Sequence, residues 1–241
     1  MASFHQPGAG AGDRVSGEPN WNVFYDRPVA LPQRVPSTPE QVEREAALYG
    51  PFTEVVRELV DATIRSEIDH AEVAGIQAEL EGIVARLQAR QLDGPYAVNN
   101  RGRHWGNTVV GLRNAVAPPL EIGRESTGRA WADFHLGAAY EGPPGLVHGG
   151  VSALVLDQML GEATGAGGKP GMTASLTLTY RRATPLGDLR AEAWIERSEG
   201  IKTWARGHLS DAEGITVEAE GLFILPRWAR EQPEEKPASF E

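Results

Sequence analysis

The length, composition and charge of the chain exclude several classes of protein. With 241 residues, 41% of them hydrophobic, the chain is long enough for one sizeable domain with an extension, or for two small domains. The formal net charge of −10 argues against a general nucleic-acid binder, and the lack of cysteine excludes disulfides, thiolate metal sites and a cysteine nucleophile. No stretch is apolar enough for a membrane helix, and the first residues lack the pattern of a signal peptide, so we expect a soluble cytoplasmic protein.

The N-terminal part of the sequence predicts a flexible arm followed by helices. Residues 1–36 are rich in Gly, Pro and polar side chains, which is typical of a flexible arm, and the tail 229–241 has the same character. Apolar residues then recur at helical spacing and predict two or three amphipathic helices within 37–92, with one helix starting after Gly50-Pro51 and a junction near Asp69–Ala71. These helices need a partner surface, either each other or the domain that follows.

The remaining chain, after a connecting segment at 93–117, has the pattern of a sheet that surrounds one helix. Between its first two predicted strands lies "GPPGLVHGGVSALVLDQMLG", a Gly/Pro-rich loop followed by a helix that is apolar nearly all round and therefore buried. The order favours an α+β fold in which an antiparallel sheet wraps around a central helix. The predicted strands are "GRAWADFHLGA", the strictly alternating and half-buried "GMTASLTLTYRR", and then "LRAEAWIER", "IKTWARGHLSD" and "ITVEAEGLFIL", joined by short turns.

Three segments carry a resemblance to a known family. They are "EGPPGLVHGGVSALVLDQMLG" (141–161), "PGMTASLTLTYRRATPLGD" (170–188) and "AEGLFILP" (219–226), and together they resemble the PaaI-type acyl-CoA thioesterases of the hotdog fold. The combination of "HGG", an aspartate nine residues after its histidine, and the "LTYRR…PLGD" strand and turn is fairly specific. The resemblance spans residues 118–228, which predicts a hotdog thioesterase domain preceded by a helical extension.

The resemblance implies a set of catalytic residues for thioester hydrolysis. Asp157 corresponds to the general base or nucleophile, the backbone N–H of Gly149 to the donor that polarises the thioester carbonyl, and Thr173 to a hydroxyl that helps to place the water. Physical chemistry supports the second role, because N–H groups at a helix N-terminus are aimed at developing negative charge. No cofactor is implied, and no metal site is predicted because the histidines lack a metal-ligand spacing.

The spacing of two of these residues predicts a dimer. Gly149 and Asp157 are eight residues apart, which is about 12 Å along a helix at 1.5 Å per residue. Both groups must come within about 3 Å of the reacting atoms, so one chain cannot easily supply both to one substrate. Two helices packed antiparallel about a two-fold axis could do so, which predicts a homodimer or a dimer of dimers.

The roles of further residues are left open by the sequence. His148 either orients the loop by capping backbone carbonyls or contacts the thioester carbonyl or the water. Gly150, Lys169, Arg181 and Arg182 are candidate substrate contacts, the three cations for the phosphates of CoA. Two alternatives to an acyl-CoA thioesterase remain: a hotdog enzyme that acts on an acyl-carrier-protein thioester or as a dehydratase, and a non-catalytic protein that binds acyl-CoA or serves as a scaffold.

Overall fold

The computed structural model describes residues 38–91 and 105–230. The predicted arm at 1–36 and nearly all of the predicted tail at 229–241 lie outside these residues. The first helix, α1 (Pro39–Arg65), begins at a capping box in which Thr38 and Gln41 each accept a hydrogen bond from the other's backbone N–H. The second, α2 (His70–Gln88), begins at Asp69, whose carboxylate accepts from the backbone N–H of Glu72 at 2.9 Å.

The predicted start of a new helix after Gly50-Pro51 is wrong, because α1 continues through Pro51. A proline inside a helix removes one backbone hydrogen bond, and here tertiary contacts on both sides of it hold the helix together. Thr53 is buried, and the guanidinium of Arg113 lies 3.6 Å above the ring of Tyr49. These contacts fasten α1 to the segment that leads into the sheet.

The expected partner surface exists for α1 but not for α2. The helix α1 packs on a short 3-10 helix, Ala138–Tyr140, at the end of the second strand. The helix α2 has no buried residue, and no other element of the described residues packs along it. None of the helices in the described parts of the chain is long and apolar enough to cross a membrane.

The sheet has six strands in the order β1-β2-β4-β5-β6-β3, and each strand is antiparallel to its neighbours. The central helix, α3 (Gly149–Ala166), lies between β2 and β3 in the sequence and packs across one face of the sheet. A last short helix, α4 (Arg227–Arg230), follows β6. The strands are β1 (Gly123–Glu125), β2 (Arg129–Leu136), β3 (Met172–Tyr180), β4 (Gly187–Glu199), β5 (Lys202–Asp211) and β6 (Gly214–Ile224).

The core lies between α3 and the concave face of the sheet. Leu156, Met159 and Leu160 of α3 are fully buried, and burial of each such side chain is worth about 1.5–3 kcal/mol. The sheet supplies small and large apolar side chains that fill the space around the helix, among them Ala132, Leu136, Ala191, Ala193, Leu209, Val217 and Phe223. An antiparallel sheet wrapped around one helix is the hotdog fold, which confirms the fold expected from the sequence.

The strand β3 differs from its prediction as a half-buried strand. It forms one edge of the sheet and pairs with β6, and its other edge has no neighbouring strand among the described residues. Met172 is 56% exposed and Tyr180 is 54% exposed, although both lie on the face predicted to be apolar and buried. The alternation was read correctly, but the described residues do not supply a surface that covers this strand.

Candidate active site

A small hairpin leads into the N-terminus of α3. Glu141 and Val147 pair as an isolated bridge, and the backbone N–H of Gly142 donates to the carbonyl of Leu146 at 2.9 Å. The side chain of Glu141 also accepts from the backbone N–H of Gly145 at 2.6 Å. A Cβ on Gly142 would lie 2.8 Å from the Cα of His148, so only glycine fits where the two sides of the hairpin approach. The "GPPG" sequence therefore forms the turn that aims His148 and the glycines after it.

The side chain of His148 caps the helix N-terminus. Its Nδ1 accepts a hydrogen bond from the backbone N–H of Gly150 at 3.0 Å. The backbone N–H of His148 donates to the carbonyl of Tyr140 at 3.0 Å. The expectation that the imidazole caps backbone carbonyls is thus wrong in one respect, because the ring receives an N–H instead. As the acceptor, Nδ1 carries no hydrogen, so Nε2 carries the hydrogen of the neutral ring.

One backbone donor in the first turn of α3 is left without an acceptor. Gly150 donates to the His148 ring, and Val151 and Ser152 donate to the His148 carbonyl at 2.8 and 3.3 Å. The N–H of Gly149 has no acceptor among the described residues. It lies at the positive end of the helix dipole, where a developing negative charge is stabilised. This N–H is the one that the sequence analysis assigned to the thioester carbonyl.

The hydroxyl of Thr173 donates to the Oδ1 of Asp157 at 2.9 Å. This contact brings together two of the predicted catalytic residues, one from the middle of α3 and one from the start of β3. Asp157 is only half-buried, whereas a buried carboxylate was expected in this helix. The exposed edge strand beside it explains the difference, since β3 covers only part of this side of α3.

Tyr180 is a site residue that the sequence analysis did not predict. Its hydroxyl donates to the carbonyl of Gly149 at 2.9 Å, so the two ends of β3 contact the two candidate site residues of α3, Gly149 and Asp157. Strict alternation places Thr173 and Tyr180 on opposite faces of the strand. A β-bulge between Thr173 and Ser175 shifts the register, and both side chains therefore reach the same helix.

The buried carboxylate of α3 is Glu162, which the sequence analysis also missed. It is 2% exposed, and its Oε2 accepts from the Nε of Arg124 at 2.7 Å while Oε1 accepts from Gln158 at 2.8 Å. These bonds satisfy the charge inside the protein. The partner Arg124 comes from β1, at the edge of the sheet opposite β3. Arg124 and Glu162 are 38 residues apart in the sequence, so no local pattern predicts the pair.

The candidate substrate-binding residues differ in the hydrogen bonds and ion pairs that they form within the chain. Arg182 donates to Asp211 at 2.8 Å and to the carbonyl of Gly214 at 3.0 Å, and the hydrogen bond from Arg182 holds the pKa of Asp211 below its usual value. Arg181 donates to Glu218 at 2.7 Å, and both of these side chains are exposed to solvent.

Two further candidates for substrate binding lie closer in the sequence to Asp157 and Thr173. Lys169 is exposed in the loop between α3 and β3, and its side chain has no ion pair among the described residues. The backbone N–H of Gly150 donates to the His148 ring, so this donor is not available to a ligand in this conformation.

Comparison with known proteins agrees with this fold. The family model described as Thioesterase superfamily matches residues 144–217, which include the site residues on α3 and β3. The chain is also similar to a thioesterase superfamily protein of known crystal structure, with 36% sequence identity and a TM-score of 0.67, over 73% of this chain and 94% of that one. The fold and the site define a hotdog protein with a helix N-terminal donor and a carboxylate on one helix. The chain belongs to the thioesterase superfamily.

Two curated relatives match a smaller part of the chain. Acyl-coenzyme A thioesterase THEM4 of Bos taurus is 34% identical over 94 residues, which is 38% of this chain and 38% of that protein. The protein of the same name from Xenopus laevis is 37% identical over 98 residues, or 38% of this chain and 42% of that protein. The match therefore spans less than half the length of these relatives.

Proposed function

We propose that the protein hydrolyses an acyl-CoA thioester to the free acid and CoA. The observation that carries this proposal is the N–H of Gly149, which has no acceptor in the described part of the chain. It lies at the start of the same helix that presents Asp157 hydrogen-bonded to Thr173. A donor for an oxyanion and a carboxylate base are the groups that thioester hydrolysis requires. Membership of the thioesterase superfamily and the names of the curated relatives support the same reaction. The more specific PaaI-type assignment is part of the proposal.

In the proposed reaction, the thioester carbonyl accepts a hydrogen bond from the N–H of Gly149. Asp157 takes a proton from a water held between its carboxylate and the hydroxyl of Thr173, and the water oxygen forms a bond to the carbonyl carbon. The tetrahedral intermediate then breaks its C–S bond and expels the CoA thiolate, which takes the proton back from Asp157. In the alternative, the carboxylate of Asp157 attacks the carbonyl carbon, and the C–S bond breaks to release the CoA thiolate and leave an anhydride. Water then hydrolyses the anhydride to the free acid and the Asp157 carboxylate, and the proton released goes to the thiolate.

The proposed active site is shared between two subunits. Gly149 and Asp157 lie on one continuous helix, about 12 Å apart along its axis, so each would serve a different substrate molecule. The free edge of β3 supports this proposal, because an exposed strand edge with large apolar side chains is a natural site of pairing. A homodimer related by a two-fold axis would carry two such sites, and a dimer of dimers would carry four.

We assign the phosphates of CoA to the cations near the start and end of β3. Lys169 is the best supported, because its ammonium is exposed and has no ion pair in the described residues. Arg181 can exchange its exposed partner Glu218 for a phosphate at little cost, since exposed ion pairs contribute little. Arg182 would have to leave Asp211, and its contribution is therefore expected to be smaller.

The proposal is tested by a hydrolysis screen over short, medium, long and aromatic acyl-CoAs with detection of the released thiol. The chain has no cysteine, so the protein itself does not react with a thiol reagent. Asp157→Asn should lose most of the hydrolysis and still bind acyl-CoA. Asp69→Asn is the matched control, because asparagine caps the N-terminus of α2 as well as aspartate does and lies outside the site.

The outcome separates the alternatives. Turnover of one acyl-CoA class that is lost in Asp157→Asn and kept in Asp69→Asn supports the proposed reaction. Acyl-CoA binding without turnover of any class would overturn it in favour of a binding or scaffold function. Turnover of an acyl-carrier-protein thioester alone would overturn CoA as the carrier.

A further inference from the structure

The helix α2 presents a regular apolar stripe that nothing in the described residues covers. Val73, Ile76, Ile83 and Leu87 are each between 38% and 51% exposed, and Leu80 lies between them on the same face. The helix has no buried residue. An isolated helix of this length is only marginally stable in water, so a helix with such a stripe is expected to have a partner.

The spacing of the stripe is that of a coiled-coil seam. Its residues follow one another at intervals of three, four, three and four, which are the a and d positions of a heptad repeat. The polar side of α2 favours a protein partner over a membrane, since its glutamates at 72, 79 and 81 outnumber the single basic residue Arg86. Anionic membrane surfaces attract helices with the opposite charge.

We propose that α2 packs antiparallel against α2 of a second copy of this chain. Glu79 and Arg86 are seven residues apart and therefore occupy the same heptad position, at the edge of the stripe. Neither forms an ion pair with any described residue. In an antiparallel pair with Leu80 opposite Ile83 of the second copy, Glu79 lies beside Arg86 of the second copy, and the two-fold axis repeats this contact.

The charges select one arrangement among those that the apolar residues allow. A shift of one heptad in one direction places Arg86 beside Arg86 of the second copy, which is repulsive. A shift in the other direction places Glu72 beside Arg86 of the second copy but also Glu79 beside Glu79, and this repulsive contact disfavours it. A parallel pair brings Glu79 beside Val84 of the second copy and forms no ion pair at all. The register with Leu80 opposite Ile83 of the second copy has four apolar layers and two ion pairs. Two of the layers pair Leu80 with Ile83, and the other two pair Ile76 with Leu87.

This interface is separate from the active site and from the free edge of β3. The helix α2 precedes the hotdog domain and does not pack against α3 or β3, the two elements that carry the candidate site. The inference therefore does not depend on the proposed function. If different copies paired at α2 and at the edge of β3, the chains would form a larger assembly through two different two-fold axes. If the same two copies paired at both places, the α2 contact would add a second interface to one dimer.

The experiment uses cross-linking, because pairing within an existing dimer would leave the mass unchanged. Two variants of the full chain, Glu79→Cys and Arg86→Cys, each carry a single thiol because the natural chain has none. One variant carries a tag that shifts its mobility on a gel, and each is treated with a short bis-maleimide alone and after mixing and refolding. We expect the cross-linked product of the two different chains to exceed either self-cross-linked product at least fivefold, because only the mixed pair brings the thiols together and keeps one ion pair.

Glu72→Cys is the matched control. It occupies the same heptad position one repeat earlier, and its predicted neighbour lies beyond the end of α2, so it should not cross-link to either variant. Equal cross-linking within and between variants would overturn the antiparallel register. No cross-linking would overturn the pairing itself, and cross-linking that appears only after removal of residues 1–37 would show that this segment covers the stripe instead.

Discussion

Replacement of Gly149 by proline removes the proposed oxyanion donor while preserving the backbone around it. Gly149 is the first residue of α3, a position at which proline is favoured because its ring already has the helical φ. The residue before a proline must be extended, and His148 has φ −61° and ψ 131°. The N–H that is lost has no acceptor among the described residues, so no hydrogen bond of the folded chain is broken.

The expected effect on catalysis is large and the expected effect on stability is small. Loss of one oxyanion donor typically costs about 2.7–4 kcal/mol of transition-state stabilisation, or about 10²–10³ in kcat. Gly149→Ala is the matched control, since it keeps the N–H. Its Cβ would lie 3.3 Å from the hydroxyl of Tyr180, which has to move by only a few tenths of an ångström. We therefore expect the alanine variant to keep most of its activity.

The assay is steady-state thiol release from the best acyl-CoA, with thermal unfolding of each variant as a check on the fold. The account predicts that kcat falls in Gly149→Pro, that KM changes little, and that the unfolding temperature stays close to that of Gly149→Ala. If the proline and alanine variants fold equally well and have the same kcat, the N–H of Gly149 does not stabilise the transition state, and the proposed role is refuted.

Further predictions concern the hydroxyl beside the catalytic carboxylate and two ion pairs. Thr173→Val should lower kcat about 10–100-fold, the cost of a hydrogen bond to a charged group, and Thr173→Ser should restore most of it, as steady-state assays will show. Arg124→Met leaves the charge of Glu162 buried and unpaired, so chemical denaturation should show a loss of about 3 kcal/mol. Because Arg182 lowers the pKa of Asp211, their pair stabilises the fold above the usual carboxyl pKa of 3.8 and is lost below it. Asp211→Asn should therefore unfold at a lower temperature than the natural chain at pH 7, and the difference should shrink as the pH falls below 3.8 and through the lowered pKa of Asp211.

The local sequence was sufficient for most of the sheet and for the central helix. Alternation marks β4, β5 and β6 as strands, and Gly214, the first residue of β6, has the positive φ of 123° that the tight turn before it requires. The stretch from Gly149 to Ala166 is apolar enough to be recognised as buried. Asp157 and Thr173 could be singled out from the sequence because they belong to the motifs that carry the family resemblance, and the structure brings them into hydrogen-bond contact.

The features that the sequence did not predict depend on contacts between distant segments. The bulge in β3 follows from its pairing with β6, and without it Tyr180 would face away from Gly149. The role of Glu162 depends on Arg124 from the opposite edge of the sheet. Continuation of α1 through Pro51 depends on contacts with a later segment of the chain. In each case a tertiary contact outweighs a local preference.

A complementation experiment tests the shared active site most directly. Asp157→Asn and Gly149→Pro are each expected to be nearly inactive, and a mixed dimer of the two has one site with both groups intact and one with neither. Refolding the variants together in equal amounts gives mixed dimers in about half of the population, so about one quarter of the natural activity should return. If each site uses Gly149 and Asp157 of one chain, the mixture will be no more active than the separate variants, and the shared site will be contradicted.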